Sequence, residues 1–112
     1  MAQRIEIVRG TSNTFQVFVT DPTGLPYNLG SGEKLVFGIK KEKEDETPIF
    51  QITAEIIGEG MFNVVLAPEH TENLDGGKYW YDVAIDDGTK FYNVIKANEF
   101  KIIPNITKRG AV

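Results

Sequence analysis

The sequence is dominated by an alternation of apolar and polar side chains with a period of two residues. The alternation recurs in five short segments, at residues 15–19, 35–39, 50–56, 62–66 and 79–85. Each segment is rich in β-branched and aromatic residues and is bounded by Gly, Pro, Asn or Asp, which is typical of β-strands. Residues 4–9 and 90–103 extend the pattern at its two ends, so the sequence predicts seven strands.

Helical periodicity is almost missing from the rest of the chain. A short helical turn is expected near 68–73, with Pro68 at its start and Gly76 or Gly77 after it. Because no segment could form a helix that connects parallel strands, we expect an all-β fold, an antiparallel sandwich of two sheets. The 112 residues suffice for one domain, over 1–104, followed by a flexible tail at 105–112.

Composition disfavours several functional classes. The net charge is −4 and the pI is about 5.0, which makes nucleic acid an improbable partner. The longest apolar runs are only a few residues, so neither a membrane span nor a signal peptide is expected. The chain has no cysteine, which excludes disulfides and cysteine zinc sites. No phosphate-binding loop or metalloprotease motif occurs, and no cofactor is expected.

Asp87-Gly88 is a signal for a two-residue turn that registers the last two strands as a hairpin. A four-residue loop is expected to give the same pairing, and a three-residue loop to reverse it. In the register of the two-residue turn, the residues that point into the core are Tyr81, Val83, Tyr92 and Val94. The pairs on the outer face are Trp80 with Ile95, Asp82 with Asn93, and Ala84 with Phe91. Lys96 and Asn98 fall in the inward phase, which predicts a bulge in the last strand.

The outer face of this hairpin should therefore carry several apolar side chains. They are Trp80, Ala84, Phe91 and Ile95, with Val36 beside them on a neighbouring strand. One exposed apolar residue has no meaning by itself, but several on one sheet face indicate an interface. Trp and Phe are also enriched at the centres of interfaces. The alternative is that a loop or the C-terminal tail covers this face.

The segment LDGGKYWYDV, residues 74–83, has the spacing L-x-x-G-x-Y-x-Y. It resembles the corner between strands E and F of immunoglobulin-like sandwiches, where a tyrosine hydroxyl bonds to the backbone upstream. The resemblance implies that Tyr79 closes the corner, that Leu74 fills the underside of the turn, and that Tyr81 lies in the core. It implies an immunoglobulin-like sandwich without the cysteines of antibody domains.

A narrower resemblance covers most of the chain. The segments that carry it are RGTSNTFQVFVTD, DPTGLPYNLGSGEKLVFGIKK, GEGMFNVVLAPEHTENLDGGKYWYDVAI and the closing hairpin with its strand. In order and spacing they resemble the small immunoglobulin-like domain of bacteriophage tail and baseplate proteins, as at the amino terminus of baseplate upper proteins. Asn28 stands where that family usually has an acidic residue. The resemblance implies a non-catalytic structural subunit of the virion, made in the bacterial cytoplasm. It would dock onto other virion proteins, and a homo-oligomer is left open.

Two other functional classes are weighed against this interpretation. In a carbohydrate-binding module, Trp80 and Phe91 would stack on sugar rings while Asp82 and Asn93 bond hydroxyl groups. In a small hydrolase, the single histidine, His70, would act with Asp82. We rank the hydrolase last, because no nucleophile or catalytic motif accompanies these residues.

Calcium is a weaker hypothesis for the acidic end of the hairpin. Asp86, Asp87 and Asn93 offer oxygen ligands, but they lack the spacing of an EF-hand loop. Turn chemistry explains the two aspartates more simply, so no metal site is expected.

Overall fold

The computed structural model describes residues 4–104, which form eight β-strands and one short 3₁₀ turn. The tail predicted at 105–112 lies outside the described residues. The strands are β1 (Ile5–Val8), β2 (Asn13–Phe18), β3 (Lys34–Lys40), β4 (Phe50–Thr53), β5 (Glu55–Gly58), β6 (Met61–Leu66), β7 (Gly77–Asp86) and β8 (Phe91–Ile103). The 3₁₀ turn covers Pro68–His70, within the stretch where the sequence predicts a helical turn.

The strands form two packed sheets, and the protein is an all-β sandwich as predicted. The five-stranded sheet has the order β1-β8-β7-β3-β4 and the three-stranded sheet the order β2-β6-β5. The order β8-β7-β3-β4 follows the G-F-C-C′ arrangement of immunoglobulin-like sandwiches, and β2-β6-β5 follows the B-E-D arrangement. The expectation that every pairing is antiparallel was wrong at one place, since β1 runs parallel to β8 with Ile5 beside Phe100. The chain changes sheet between β1 and β2, so no hairpin constrains the direction of β1.

One predicted strand, at residues 50–56, is divided between the two sheets. The first part, β4, pairs with β3, and the second part, β5, pairs with β6. The change of sheet occurs at the buried Ala54, whose N–H donates to the carbonyl of Leu35 at 2.8 Å. Because the chain passes directly from one sheet to the other here, this side of the sandwich is closed by covalent connection.

The core lies between the sheets and is centred on Phe37. Its ring lies 5.4 Å from that of Tyr81, 6.1 Å from that of Phe100 and 6.3 Å from that of Phe15, measured between centroids. Aromatic pairs at such distances add to the stabilisation that area burial provides. The core side chains are Ile7, Val19, Leu35, Phe37, Ile39, Ala54, Phe62, Val64, Leu66, Tyr79, Tyr81, Val83, Ile85, Phe100 and Ile102.

The register of the β7–β8 hairpin differs from the predicted one by two residues at the turn. Asp86 lies opposite Phe91 and Ala84 opposite Asn93, so the loop has four residues rather than two. The Asp87 carboxylate explains the longer loop, since its Oδ1 accepts hydrogen bonds from the N–H groups of Thr89 and Lys90. Tyr92 was expected in the core, but it lies near the end of the sheet and is 42% exposed.

The predicted bulge occurs farther along the same hairpin. The register shifts by one residue on each side of Val83, so that Val83 opposes Ile95 and Tyr81 opposes Asn98. Each extra residue on β8 reverses the face toward which the following side chains point. Beyond the shifts, Tyr79 opposes Phe100 and both side chains are buried in the core.

Within residues 4–104, the structure contains no helix of the length and apolar character that crossing a membrane requires.

Candidate functional site

The outer face of the five-stranded sheet is the surface that the sequence singles out. Alternation places every second residue of β3 and β7 on this face, because the residues between them fill the core. The side chains in question are Val36, Lys40, Trp80, Asp82, Ala84, Phe91 and Asn93, with Gly38 among them. Two of the five predicted interface residues, Trp80 and Phe91, reach solvent on this face. Val36 and Ala84 are buried, and Ile95 faces the opposite side of the sheet.

Trp80 is half-buried under lysine side chains. The ammonium nitrogen of Lys43 lies 4.2 Å from the ring centroid and that of Lys78 lies 4.9 Å from it. These are cation–π distances, which stabilise the arrangement when both groups are partly shielded from water. Lys43 belongs to the charged segment between β3 and β4, so this segment folds back over the sheet. A ligand that stacks on Trp80 must first displace these cations.

Val36 and Ala84 form a directly opposed pair at the centre of the outer face. Their side chains are only 6% and 1% exposed. The expectation that they present apolar surface is therefore corrected, since short side chains in central strands leave little area for a partner to contact.

Ile95 does not lie beside Trp80, which opposes Glu99 instead. The register shift at Val83 turns Ile95 to the opposite side of the sheet, where it packs against the core. The expectation of an outward Ile95 was wrong, because the strand bulges before Trp80 is reached.

A concavity of about 190 Å³ lies on the outer face beside Phe91. Its lining residues are Gly38, Lys40, Glu46, Pro48, Gln51, Asp82, Phe91 and Asn93. Burial raises the pKa of the Asp82 carboxyl above its ordinary value, and the charge of Lys40 opposes this shift. Ligand pockets commonly have volumes of about 300–1,000 Å³, so this concavity suits a small polar group rather than a whole cofactor.

The corner at the start of β7 is built as the resemblance to immunoglobulin-like sandwiches implies. The Tyr79 hydroxyl donates to the carbonyl of Asp75 at 2.7 Å, and Leu74 packs against the core. The Lys41 ammonium lies 4.5 Å from the Tyr79 ring centroid. Burial is the main cause that raises the pKa of Tyr79, with the nearby Asp75 charge adding to it. These contacts give the corner a structural explanation that needs no ligand.

The two residues of the hydrolase hypothesis are not brought together. His70 Nδ1 accepts a hydrogen bond from the N–H of Ala67 at 2.9 Å, and its ring lies 5.0 Å from that of Phe50. Phe50 opposes the buried Ile39 and therefore lies on the inner side of the sheet. Asp82 lies on the outer side, so the five-stranded sheet separates it from His70.

The aspartates of the calcium hypothesis are used by the hairpin turn. Asp86 Oδ1 accepts from the N–H of Gly88, and Asp87 Oδ1 accepts from the next two N–H groups. Hydrogen bonds from the turn backbone lower the pKa of Asp87. Across residues 4–104, no group of three or more His, Cys, Asp and Glu side chains has an arrangement that could hold a metal ion.

A second concave region, which the sequence reasoning missed, opens between the sheets on the side away from Ala54. We call it the edge groove; its lining residues are Arg4, Ile5, 15–20, Phe37, Tyr81, Val83 and 94–96, and its volume is about 620 Å³. Among the described strands, β2 pairs with β6 alone, so the other edge of β2 is free along the groove. The signal that could have indicated it is Phe18, an apolar residue in the polar phase of β2 that is 61% exposed.

Comparisons with known proteins add information on the fold alone. The chain matches no protein-family model and no curated protein. Among solved structures it is similar to an endo-β-1,4-mannanase from Thermotoga petrophila, with a TM-score of 0.56 and 12% identity. The match covers 93% of this chain and 18% of the mannanase chain, so the chain spans less than a fifth of that enzyme's length.

Proposed function

We propose that the chain is a non-catalytic structural subunit of a bacteriophage tail or baseplate, and that it acts by docking onto neighbouring proteins. The observation that carries the proposal is the set of large apolar side chains exposed on strands of both sheets. Phe18, Ile56 and Phe91 are each more than half exposed. Strands hold such side chains in fixed positions, so they form preorganised contact surfaces.

The bacteriophage assignment is supported by the order and spacing of four sequence segments, which together cover most of the chain. The sandwich is compatible with such a module, because the segments fall on its strands and on the connections between them. The non-catalytic part of the proposal is supported by the separation of His70 from Asp82, which lie on opposite sides of the five-stranded sheet.

Mass spectrometry of purified phage particles from the source strain tests this proposal. We expect peptides of the chain to co-purify with the particles through a density gradient and a salt wash, in a constant ratio to other structural proteins. An abundant host protein of similar size serves as the control for carry-over. If the chain stays in the soluble fraction while particles are complete without it, the proposal is wrong.

Carbohydrate binding is a second candidate, favoured by one observation. Phe91, Asp82 and Asn93 border the same concavity, and Phe91 is 56% exposed. An exposed aromatic ring beside polar groups is an arrangement that can receive a sugar. Trp80 supports this function less well, because Lys43 and Lys78 lie over its ring. The mannanase likeness concerns the fold and says nothing about this site.

Calorimetric titration with a panel of oligosaccharides, β-mannan fragments included, separates the two candidates. A sugar-binding module should give saturable heat that Phe91→Ala abolishes and that Tyr92→Ala, a neighbouring exposed aromatic, leaves intact. Absence of binding across the panel, together with unchanged Trp80 fluorescence, would eliminate the carbohydrate function.

A further inference from the structure

The edge groove marks a side of the sandwich that no described strand closes. On the opposite side, the chain passes from β4 into β5 at Ala54 and joins the two sheets. On the groove side, β2 has a free edge, and β1 pairs with only the last residues of β8, from Phe100 onward. The earlier part of β8 is therefore free along the groove as well, over the described residues.

The floor of this groove is apolar and its charged lining is basic. Aromatic and aliphatic side chains, among them Phe37, Tyr81 and Ile95, form part of its lining. Of the described residues that line it, the charged ones are Arg4 and Lys96. Arg4 forms ion pairs with Glu6 and Glu99, whereas Lys96 takes part in no ion pair within residues 4–104. An occupant should therefore be an extended strand with an apolar side chain and acidic flanks.

Strand β5, at the other edge of the same sheet, has these properties. It pairs with β6 alone among the described strands, so its outer edge is free. Ile56 opposes the buried Phe62, which places its side chain on the inner face of the sheet, yet it is 67% exposed. Glu55 and Glu59 flank it, and the whole segment 44–77 contains neither lysine nor arginine.

We propose that β5 of one copy of this chain adds to the free edge of β2 in a second copy, with Ile56 entering the edge groove. The added strand continues the three-stranded sheet across the contact, so the free backbone groups of both edges become paired. Ile56 then lies on the inner face of the extended sheet, above the apolar floor. Glu59, in the turn that follows β5, approaches the basic rim at Lys96.

Such a contact is head-to-tail, because β2 and β5 are opposite edges of one sheet. Every open assembly leaves one β2 edge and one β5 edge free at its two ends, so association continues into a ring or a filament. The inference rests on the proposed function in one respect: it names the chain itself as one of the docking partners of a structural subunit. A four-residue strand buries less than the roughly 1,600 Å² of a standard interface, so each contact should be weak.

Two half-blocked variants, each with one of the two strand edges disabled and the other intact, test the proposal. Their association is measured by sedimentation velocity and light scattering, from micromolar to millimolar protein. Ile56→Lys removes the inserting side chain and should raise the dissociation constant about tenfold or more, since a buried isoleucine contributes on that scale. Val17→Asp places a carboxylate in the groove and should block the acceptor edge. Each variant alone should remain monomeric, while their equimolar mixture should form a dimer through the one intact pair of edges and nothing larger.

A charge exchange at the exposed rim covers the case in which Val17→Asp fails to fold. Lys96→Glu should weaken association, and adding Glu59→Lys to it should restore the wild-type dissociation constant. Val65→Ser, an exposed residue on the outer face of the central strand β6, is the matched control and should leave self-association unchanged. A strictly monomeric wild type at millimolar concentration, or association that neither Ile56→Lys nor Lys96→Glu weakens, would overturn the proposal.

This outcome is separable from that of the proposed function. If the chain is present in virus particles but the half-blocked variants do not complement each other, only the β5–β2 contact is wrong. If the variants complement each other but the chain is absent from particles, the contact stands and the virion role is wrong.

Discussion

The Tyr79 hydroxyl donates a hydrogen bond of 2.7 Å to the backbone carbonyl of Asp75, four residues upstream. The bond spans the connection between the 3₁₀ turn and β7, and it fixes the point at which the chain enters the five-stranded sheet. Tyr79 is 4% exposed, so its ring belongs to the core while its hydroxyl satisfies a carbonyl at the margin of the core.

Tyr79→Phe should lower the free energy of unfolding by about 1 kcal/mol, because it removes this hydrogen bond while keeping the buried ring. The cation–π contact with Lys41 is retained, so the change isolates the hydroxyl. Chemical denaturation measures the difference. Tyr92→Phe is the control, since that hydroxyl is exposed and its bond to Glu33 is 3.4 Å long. Equal stabilities for wild type and Tyr79→Phe would show that the corner contributes nothing.

Asp82→Asn should raise the melting temperature at neutral pH. Burial raises the pKa of Asp82 in the folded protein, so the fold disfavours the charged form. The resulting loss of stability is fully present at pH values above the raised pKa of the folded protein. It disappears as the pH falls from that pKa to the ordinary aspartate pKa of the unfolded chain. Thermal unfolding at a series of pH values should therefore show the two proteins converging in acid. A constant difference at all pH values would indicate a cause other than ionisation.

Glu33→Gln should lower the pKa of Tyr27. The Tyr27 hydroxyl donates to Glu33 Oε1 at 2.9 Å, and this bond is the main cause that raises its pKa to about 12. The ordinary pKa of tyrosine is about 10. The contribution of the bond to the stability of the fold is therefore fully present below that pH and is lost as the pH rises toward 12. Absorbance of the phenolate band measures the titration of the folded protein. An alkaline titration identical to that of wild type would argue against the Tyr27–Glu33 bond.

Gly60→Ala should destabilise the protein more than Gly24→Ala does. Both glycines have a positive φ, 64° and 89°, so an alanine is strained at either position, at a cost of about 1 kcal/mol. At Gly60 a Cβ atom would also lie 2.7 Å from the carbonyl oxygen of Val19, whereas nothing lies within 4 Å of one at Gly24. The difference between the two variants in chemical denaturation therefore measures the close approach. Equal losses would mean that Val19 and its neighbours move aside freely.

The parts of this fold that follow local rules could be predicted from the sequence. Alternation assigned Tyr79 and Tyr81 to the core, and the resemblance to the corner of immunoglobulin-like sandwiches implied the hydroxyl bond of Tyr79. The hairpin register was missed, because Asp87-Gly88 is compatible with two loop lengths and the choice depends on which backbone N–H groups the Asp87 carboxylate accepts from. Asn93 was still assigned to the correct face of the sheet, because the expected and observed loops differ in length by an even number of residues.

The remaining differences come from tertiary structure. Ile95 was assigned to the outer face because alternation assumes an unbroken strand, and the two register shifts around Val83 cannot be counted from the sequence. The cover of Trp80 by Lys43 depends on a charged segment that folds back over the sheet. The free edge of β2 was not predicted, because a strand's pattern gives its faces but not its neighbours.

Amide hydrogen exchange at low and high protein concentration tests the β5–β2 contact most directly. The proposal predicts that exchange slows at high concentration in Thr14–Phe18 and Glu55–Gly58, the two edges that become paired. Exchange in Phe50–Thr53 and Phe91–Asn93, which lie outside the contact, should not depend on concentration. Exchange that is independent of concentration at both edges, or slowing confined to Phe91–Asn93, would contradict the proposal.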